Sequence, residues 1–212
     1  MKKQKSYEIA FSIAVEKIKK VPIRDLIHKI KLSGGKILDI NDDNSVFTFE
    51  LQFFNHIYNI SFPDFNFSSE TEKVISLVTR IIILHYIEKI NTNLQLSGEL
   101  VSYKYIPGAF NYYPVFSKKA IVPILKEQPD IKKLKNVAEK IEANEVKMGD
   151  YSFEVNVFPK IKITVIFYEG DEDFESSLDF LFDSTIKDIL SLEDIVVISQ
   201  MLSKRIIFHL KG

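Results

Sequence analysis

Between Asp171 and Asp183 the chain carries six carboxylates, Asp171, Glu172, Asp173, Glu175, Asp179 and Asp183, interleaved with Phe174, Leu178, Phe180 and Phe182. On a turn after a strand, such acids offer several oxygen ligands to a hard cation, Mg²⁺ or Ca²⁺. Asp171, Glu172 and Asp173 are therefore the metal candidates, with Glu175 beside them. The spacing is not that of an EF-hand loop, which needs a set acidic interval and a later bidentate Glu. The plainer reading of most of these acids is loop solvation, an outer strand face for Asp179 and helix capping for Asp183. Asp171 stands apart because it follows Gly170 at the end of an apolar run, where a carboxylate shielded from water needs a specific partner.

His85 is a second candidate. It lies among Ile81, Ile82, Ile83 and Leu84, with Glu88 three residues on. A His and a Glu at that spacing share one helical face and could hold a metal or act as an acid–base couple. The alternative is a core histidine satisfied by a carbonyl or a carboxylate. A third candidate is the aromatic stretch Tyr103, Tyr105, Phe110, Tyr112, Tyr113 and Phe116 around Pro107-Gly108. It could form a platform for a flat ligand, a nucleobase or a tetrapyrrole-like cofactor, or it could pack a long loop onto the core. His85, Tyr103, Tyr105, Tyr112 and Asp171 are the ligand-binding candidates.

Composition excludes several classes. With 28 basic and 29 acidic residues, no global field draws nucleic acid or an anionic membrane, and only Lys104 lies within the aromatic stretch. The chain has no Cys, so it has no disulfide, thiolate zinc site, cysteine nucleophile or thiolate-held cluster of its own. Met1-Lys2-Lys3-Gln4-Lys5 leads into an amphipathic segment rather than a signal-peptide core. The most apolar run, Val74 to Ile87, is broken by Arg80 and His85 and is shorter than the ~20 residues of a spanning helix. A cytoplasmic protein without a membrane segment is expected. There is no phosphate loop, Gly-x-Ser-x-Gly elbow or HExxH motif.

The elements that must carry these residues follow from periodicity. Tyr7 to Lys20 and the stretch after Pro22 read as two helices, the second ended by Gly34-Gly35. Lys36 to Ile40, Phe47 to Phe53 and His56 to Phe62 alternate with period two and read as a three-strand meander. Ser69-Glu70-Thr71-Glu72 has the form of a capping box opening a helix over about 70–90, apolar nearly all round. A loop over 91–98 precedes a strand from Leu100 to Tyr105, and a helix over 117–127 is interrupted by Pro123. Asp130 caps another helix, Phe153 to Phe158 and Ile161 to Tyr168 form a hairpin, and Leu178 to Phe182 reads as its third strand. Ser191 caps a last helix striped by Ile195, Ile198, Leu202 and Ile206. Strands in two blocks give an α+β class, mainly antiparallel, packed against a central buried helix with peripheral helices. The organisation expected is a single domain over 1–212, with the helices of 1–33 peripheral.

Leu84-His85-Tyr86-Ile87, Ser97-Gly98 with Ser102-Tyr103, Ile106-Pro107-Gly108, Gly170-Asp171-Glu172-Asp173-Phe174, Leu181-Phe182-Asp183 and Leu192-Glu193-Asp194 occur in series. In order and spacing they resemble the bacterial and archaeal family known as domain of unknown function 3786, over about residues 82–202. The chain departs from that pattern in having no Trp and in placing Glu175 after Phe174. The resemblance implies no assigned reaction, cofactor or catalytic residue. It implies an anaerobic source and, since some relatives carry a four-cysteine iron–sulfur domain, an iron–sulfur protein as a separate partner.

Three readings stand on the sequence. The leading one is an accessory or small-ligand-binding protein with a pocket near His85 and the Gly-Asp-Glu-Asp-Phe stretch. The second is an enzyme with a carboxylate–histidine site, divalent-metal dependent. The third is a structural protein-interaction subunit.

Overall fold

A computed structural model describes residues 2–92 and 94–212; Asn93, within the loop expected over 91–98, lies outside the described residues. The class is α+β, with two antiparallel sheets and helices. The chain forms two compact units, Met1–Leu94 with Phe158–Lys160, and Gln95–Val157 with Ile161–Gly212. No helix among the described residues is long and apolar enough to cross a membrane.

In the first unit, α1 (Lys2–Lys19) and α2 (Ile23–Leu32) precede the sheet β1 (Lys36–Ile40), β2 (Phe47–Phe53), β3 (His56–Phe62) and β4 (Phe67–Ser68), ordered as in the sequence. The period-two pattern sets the register: Phe47 opposes Phe62, Phe49 opposes Ile60 and Leu51 opposes Tyr58, all buried. Helix α3 (Leu77–Lys89) begins later than the Ser69 signal suggests. The side chains of that signal are taken elsewhere: the Tyr58 hydroxyl donates to Glu72, and His56 Nδ1 lies 2.7 Å from Thr71 Oγ1. Ser76 is the true cap, accepting from the Thr79 N–H at 3.1 Å. At the other end of α3 the Lys29 ammonium donates to the carbonyls of Glu88 and Ile90, at 2.8 and 2.6 Å. Those carbonyls have no helical partner, so the cation both caps the helix and complements its dipole. Tyr86 donates to the Ser33 carbonyl at 2.8 Å and stacks on Phe158 with centroids 4.0 Å apart; burial pushes its phenol pKa up.

The second unit is built on the sheet order β5-β9-β8-β7-β6, made of β5 (Leu100–Ser102), β6 (Asn144–Val146), β7 (Tyr151–Phe158), β8 (Ile161–Tyr168) and β9 (Ser177–Asp183). The ambiguous Leu178–Phe182 segment is a strand because it has a partner: Phe167 opposes Leu178 and Val165 opposes Phe180 in register with β8. Leu178, Phe180 and Phe182 then face the core, while Asp179 and Leu181 are half-buried on the other face. The strand expected over 100–105 stops at Ser102, and Tyr103–Tyr105 turn as a 3₁₀ segment. There Tyr103 stacks on Phe116, centroids 4.2 Å apart and planes within 2°.

From Tyr113 the chain stays helical through α4 (Tyr113–Phe116), a π segment (Ser117–Ile121) and α5 (Val122–Leu125). Pro123 has no N–H to donate, and the turn just before it widens so that Val122 N–H reaches the Ser117 carbonyl, five residues back. Asp130 caps α6 (Ile131–Lys140), accepting from the Lys133 N–H at 2.7 Å. Ser191 and Asp194 form a reciprocal capping box at the start of α7 (Leu192–Leu210), whose stripe Ile195, Ile198, Leu202 and Ile206 is fully buried.

Candidate functional site

The aromatic stretch and the first turns of α7 enclose a cleft of about 450 Å³ in the second unit. Val115, Leu192, Val196 and Val197 supply apolar walls, and Tyr103, Tyr112, Lys119 and Glu193 supply polar atoms. That mixture is the usual make-up of a small-molecule site, apolar surface with few convergent polar groups. Tyr103 is fixed by its stack on Phe116, and its hydroxyl donates to the Leu192 carbonyl at 3.3 Å, tying the 3₁₀ segment to the start of α7. Burial, with Glu193 and Tyr112 nearby, raises its pKa to about 12, so at neutral pH it is a neutral donor and acceptor. Two of the lining residues, Tyr112 and Val115, are exposed, as are Tyr105, Phe110 and Val122 on the same stretch of chain.

A second polar neighbourhood gathers Ser102 at the end of β5, Asp179 on β9, Lys104 and Tyr113. Asp179 is half-buried, and burial raises its carboxyl pKa against the opposing pull of Ser102, the Phe180 N–H and the Lys104 ammonium. The Lys104 ammonium sits over the rings of Tyr105 and Tyr113, 5.0 and 5.9 Å from their centroids. Burial, and then the charge of Asp179, raise the Tyr113 phenol, while Lys104 lowers it. Ser102 is 6 % exposed, and its hydroxyl is close enough to favour the Asp179 carboxylate without meeting hydrogen-bond geometry.

The acidic stretch is a stapled surface loop. Strand β8 ends at Tyr168, three residues before Asp171, and Asp171, Glu172, Asp173, Phe174 and Glu175 are all exposed. Asp171 Oδ1 accepts from the N–H groups of Asp173 and Phe174, each at 2.9 Å, and its own N–H donates to the Phe174 carbonyl at 3.0 Å. A side chain at Gly170 would put Cβ 2.6 Å from the Ser176 nitrogen and 2.7 Å from the Phe174 oxygen, so the glycine is required by close approach. The Gly-Asp-Glu-Asp-Phe motif thus has a geometric purpose, a tight turn closed by an Asx hydrogen-bond pair. Among the described residues no three His, Asp or Glu side chains gather to hold a metal ion.

Asp183, expected as a helix cap, instead staples a loop: the 3₁₀ segment Ile186–Asp188 that follows has no side-chain cap. The Asp183 carboxylate accepts from Ser97 N–H and Oγ at 3.2 and 3.0 Å, from Gly98 N–H at 2.7 Å, and from Thr185 N–H and Oγ1 at 3.0 and 2.5 Å. Partial burial alone would raise its pKa, but these bonds outweigh it and bring the carboxyl down to about 2. Two motifs 85 residues apart, Ser97-Gly98 and Leu181-Phe182-Asp183, are in this way one structural feature.

His85 is half-buried on α3 of the first unit, between the buried Leu84 and Tyr86, with Glu88 also half-buried. Tyr103, Tyr105, Tyr112 and Asp171 belong to the second unit. Of these, the structure brings Tyr103 and Tyr112 together in the cleft; Tyr105 is 70 % exposed beside Lys104, and Asp171 is in the stapled loop. The residues that sequence reasoning missed are Val115, Lys119, Glu193 and Val196. Ser191-Leu192-Glu193-Asp194 was legible as a cap, but a wall formed with residues some eighty positions earlier leaves no local signal.

A protein-family model described as "Domain of unknown function (DUF3786)" matches residues 34–205, reaching back to the end of α2 and taking in the first sheet. No curated protein and no solved structure matches the chain.

Proposed function

The chain belongs to the DUF3786 family, and from that premise we propose that it is a binding module that holds a small, largely apolar molecule in the cleft between Tyr103–Lys119 and the start of α7. The observation that carries this reading is the cleft itself: a volume of about 450 Å³ with valine and leucine walls and a neutral tyrosine hydroxyl anchored at its edge. The lining leaves apolar atoms in water beside a few polar groups, the composition of small-molecule sites. Cytoplasmic accessory work in an anaerobe remains part of the proposal, supported by the family resemblance and by the near balance of charge.

The test uses N-phenyl-1-naphthylamine, a neutral aromatic probe whose fluorescence rises in apolar surroundings. Saturable enhancement at a single site is expected. Because the probe binds the native state, it raises the melting temperature by mass action, stabilising by about 2.7 kcal/mol at a hundredfold excess over Kd. Val115→Asp places a charge on the exposed wall and removes the binding without lowering the melting temperature of the free protein. Non-saturable fluorescence, or binding untouched by Val115→Asp, would refute the reading.

A further inference from the structure

We infer that the ligand is an elongated anion with an aromatic or aliphatic body, its negative group held by Lys118 and Lys119 and its body lying on Val115 and Val196. The inference rests on the reading of the cleft as a small-molecule site and adds the chemical class. Its basis is continuity and charge. The cleft shares Val115 and Lys119 with a second depression of about 510 Å³, lined also by Pro114, Lys118, Pro123 and Gln200. The two run into one another along α7, from Leu192 and Glu193 to Gln200. That stretch of helix is ~12 Å long, enough for a ligand longer than one ring.

Charge along this groove is polarised. Glu193 marks one end, beside Tyr103; Lys118 and Lys119, both on the π segment, mark the other. All three side chains are exposed, and among the described residues none has an ion-pair partner. Two adjacent ammonium groups at the mouth of an apolar groove leave a positive potential that an anionic head group neutralises, while the same head group placed near Glu193 is repelled. The ligand is therefore oriented, with its head toward Gln200 and a neutral or hydrogen-bonding tail toward the Tyr103 and Tyr112 hydroxyls. The lysines sit where the helical turn widens ahead of Pro123, and such π turns recur at functional sites.

Two probes with the same body separate charge from shape. 8-Anilinonaphthalene-1-sulfonate carries the phenylnaphthylamine framework plus one sulfonate; N-phenyl-1-naphthylamine lacks the charge. The sulfonate is expected to bind about tenfold more tightly at low salt, and added salt erodes that advantage. The double variant Lys118→Met/Lys119→Met abolishes the advantage of the sulfonate over the neutral probe, both affinities being measured on the same variant. Glu193→Gln widens the sulfonate's advantage over the neutral probe. All three side chains in these comparisons are exposed, so circular dichroism melts matching the wild type confirm that each variant is folded. If the neutral probe binds saturably but the sulfonate gains nothing, or keeps its gain in the double lysine variant, the inference is overturned and the cleft reading stands. If neither probe saturates, both fall together.

Discussion

Asp183 offers the most exacting test of how this fold is held. Replacing it by Asn keeps an oxygen that can accept from Ser97 and Thr185, which share Oδ1, but removes the charge and turns an amide NH₂ toward the Gly98 N–H, which donates to Oδ2. The folded carboxyl lies near 2 against an ordinary value of 3.8. At 1.36 kcal/mol per tenfold change, that difference caps the charge-dependent stabilisation at about 2.4 kcal/mol. Because the carboxylate is partly solvated, screening reduces this to about 1 kcal/mol. For a chain of this length, the melting temperature of Asp183→Asn at pH 7 is then about 2–4 °C below wild type. The sign of the pH dependence follows from the lowered value: the stabilisation is present above pH 3.8 and is lost as pH falls through about 2. By pH 3 about half of the gap between wild type and variant has closed. Thermal melts by circular dichroism at pH 7, 4 and 3 measure it. A gap that persists unchanged at pH 3, or none at pH 7, refutes the reasoning, because the staple would not depend on ionisation.

Asp179 works in the opposite direction. Its carboxyl is raised by burial, so its ionisation opposes folding as pH climbs through 3.8, and Asp179→Asn, which retains the Oδ1 that accepts from Phe180 N–H, is expected to melt higher than wild type at pH 7 and level with it at pH 3. A lower melting temperature at pH 7 would show that attraction to Lys104 outweighs desolvation. Phe158, 1 % exposed and in ring contact with Tyr86 at 4.0 Å and Phe53 at 4.6 Å, should lose about 3–5 kcal/mol on replacement by Ala, read from denaturant unfolding. A loss under about 1 kcal/mol would mean that its cavity collapses freely.

Much of the architecture was legible because it is written locally. Period-two alternation over Phe47–Phe53 and His56–Phe62 admits one register, since a one-residue slip would turn every phenylalanine to solvent. Asp130 and Ser191 name their helix starts because capping is a contact between residues three apart. The same logic failed at Ser69, where a capping sequence was present but Thr71 and Glu72 found stronger partners on β3. A local signal decides only when no tertiary contact competes for the same atoms.

The sequence alone therefore determined the α+β class, most element positions, the family and the aromatic stretch as a place of interest. Tertiary structure decided the chemistry. It put Asp171 in a solvent-facing turn rather than at a buried strand end, gathered the Ser97, Gly98 and Thr185 donors on Asp183, and set Tyr103 and Tyr112 against Glu193 and Val196 in one cleft. Burial, acidity and cavity shape depend on which distant residues arrive at a point in space, and spacing along the chain does not encode that.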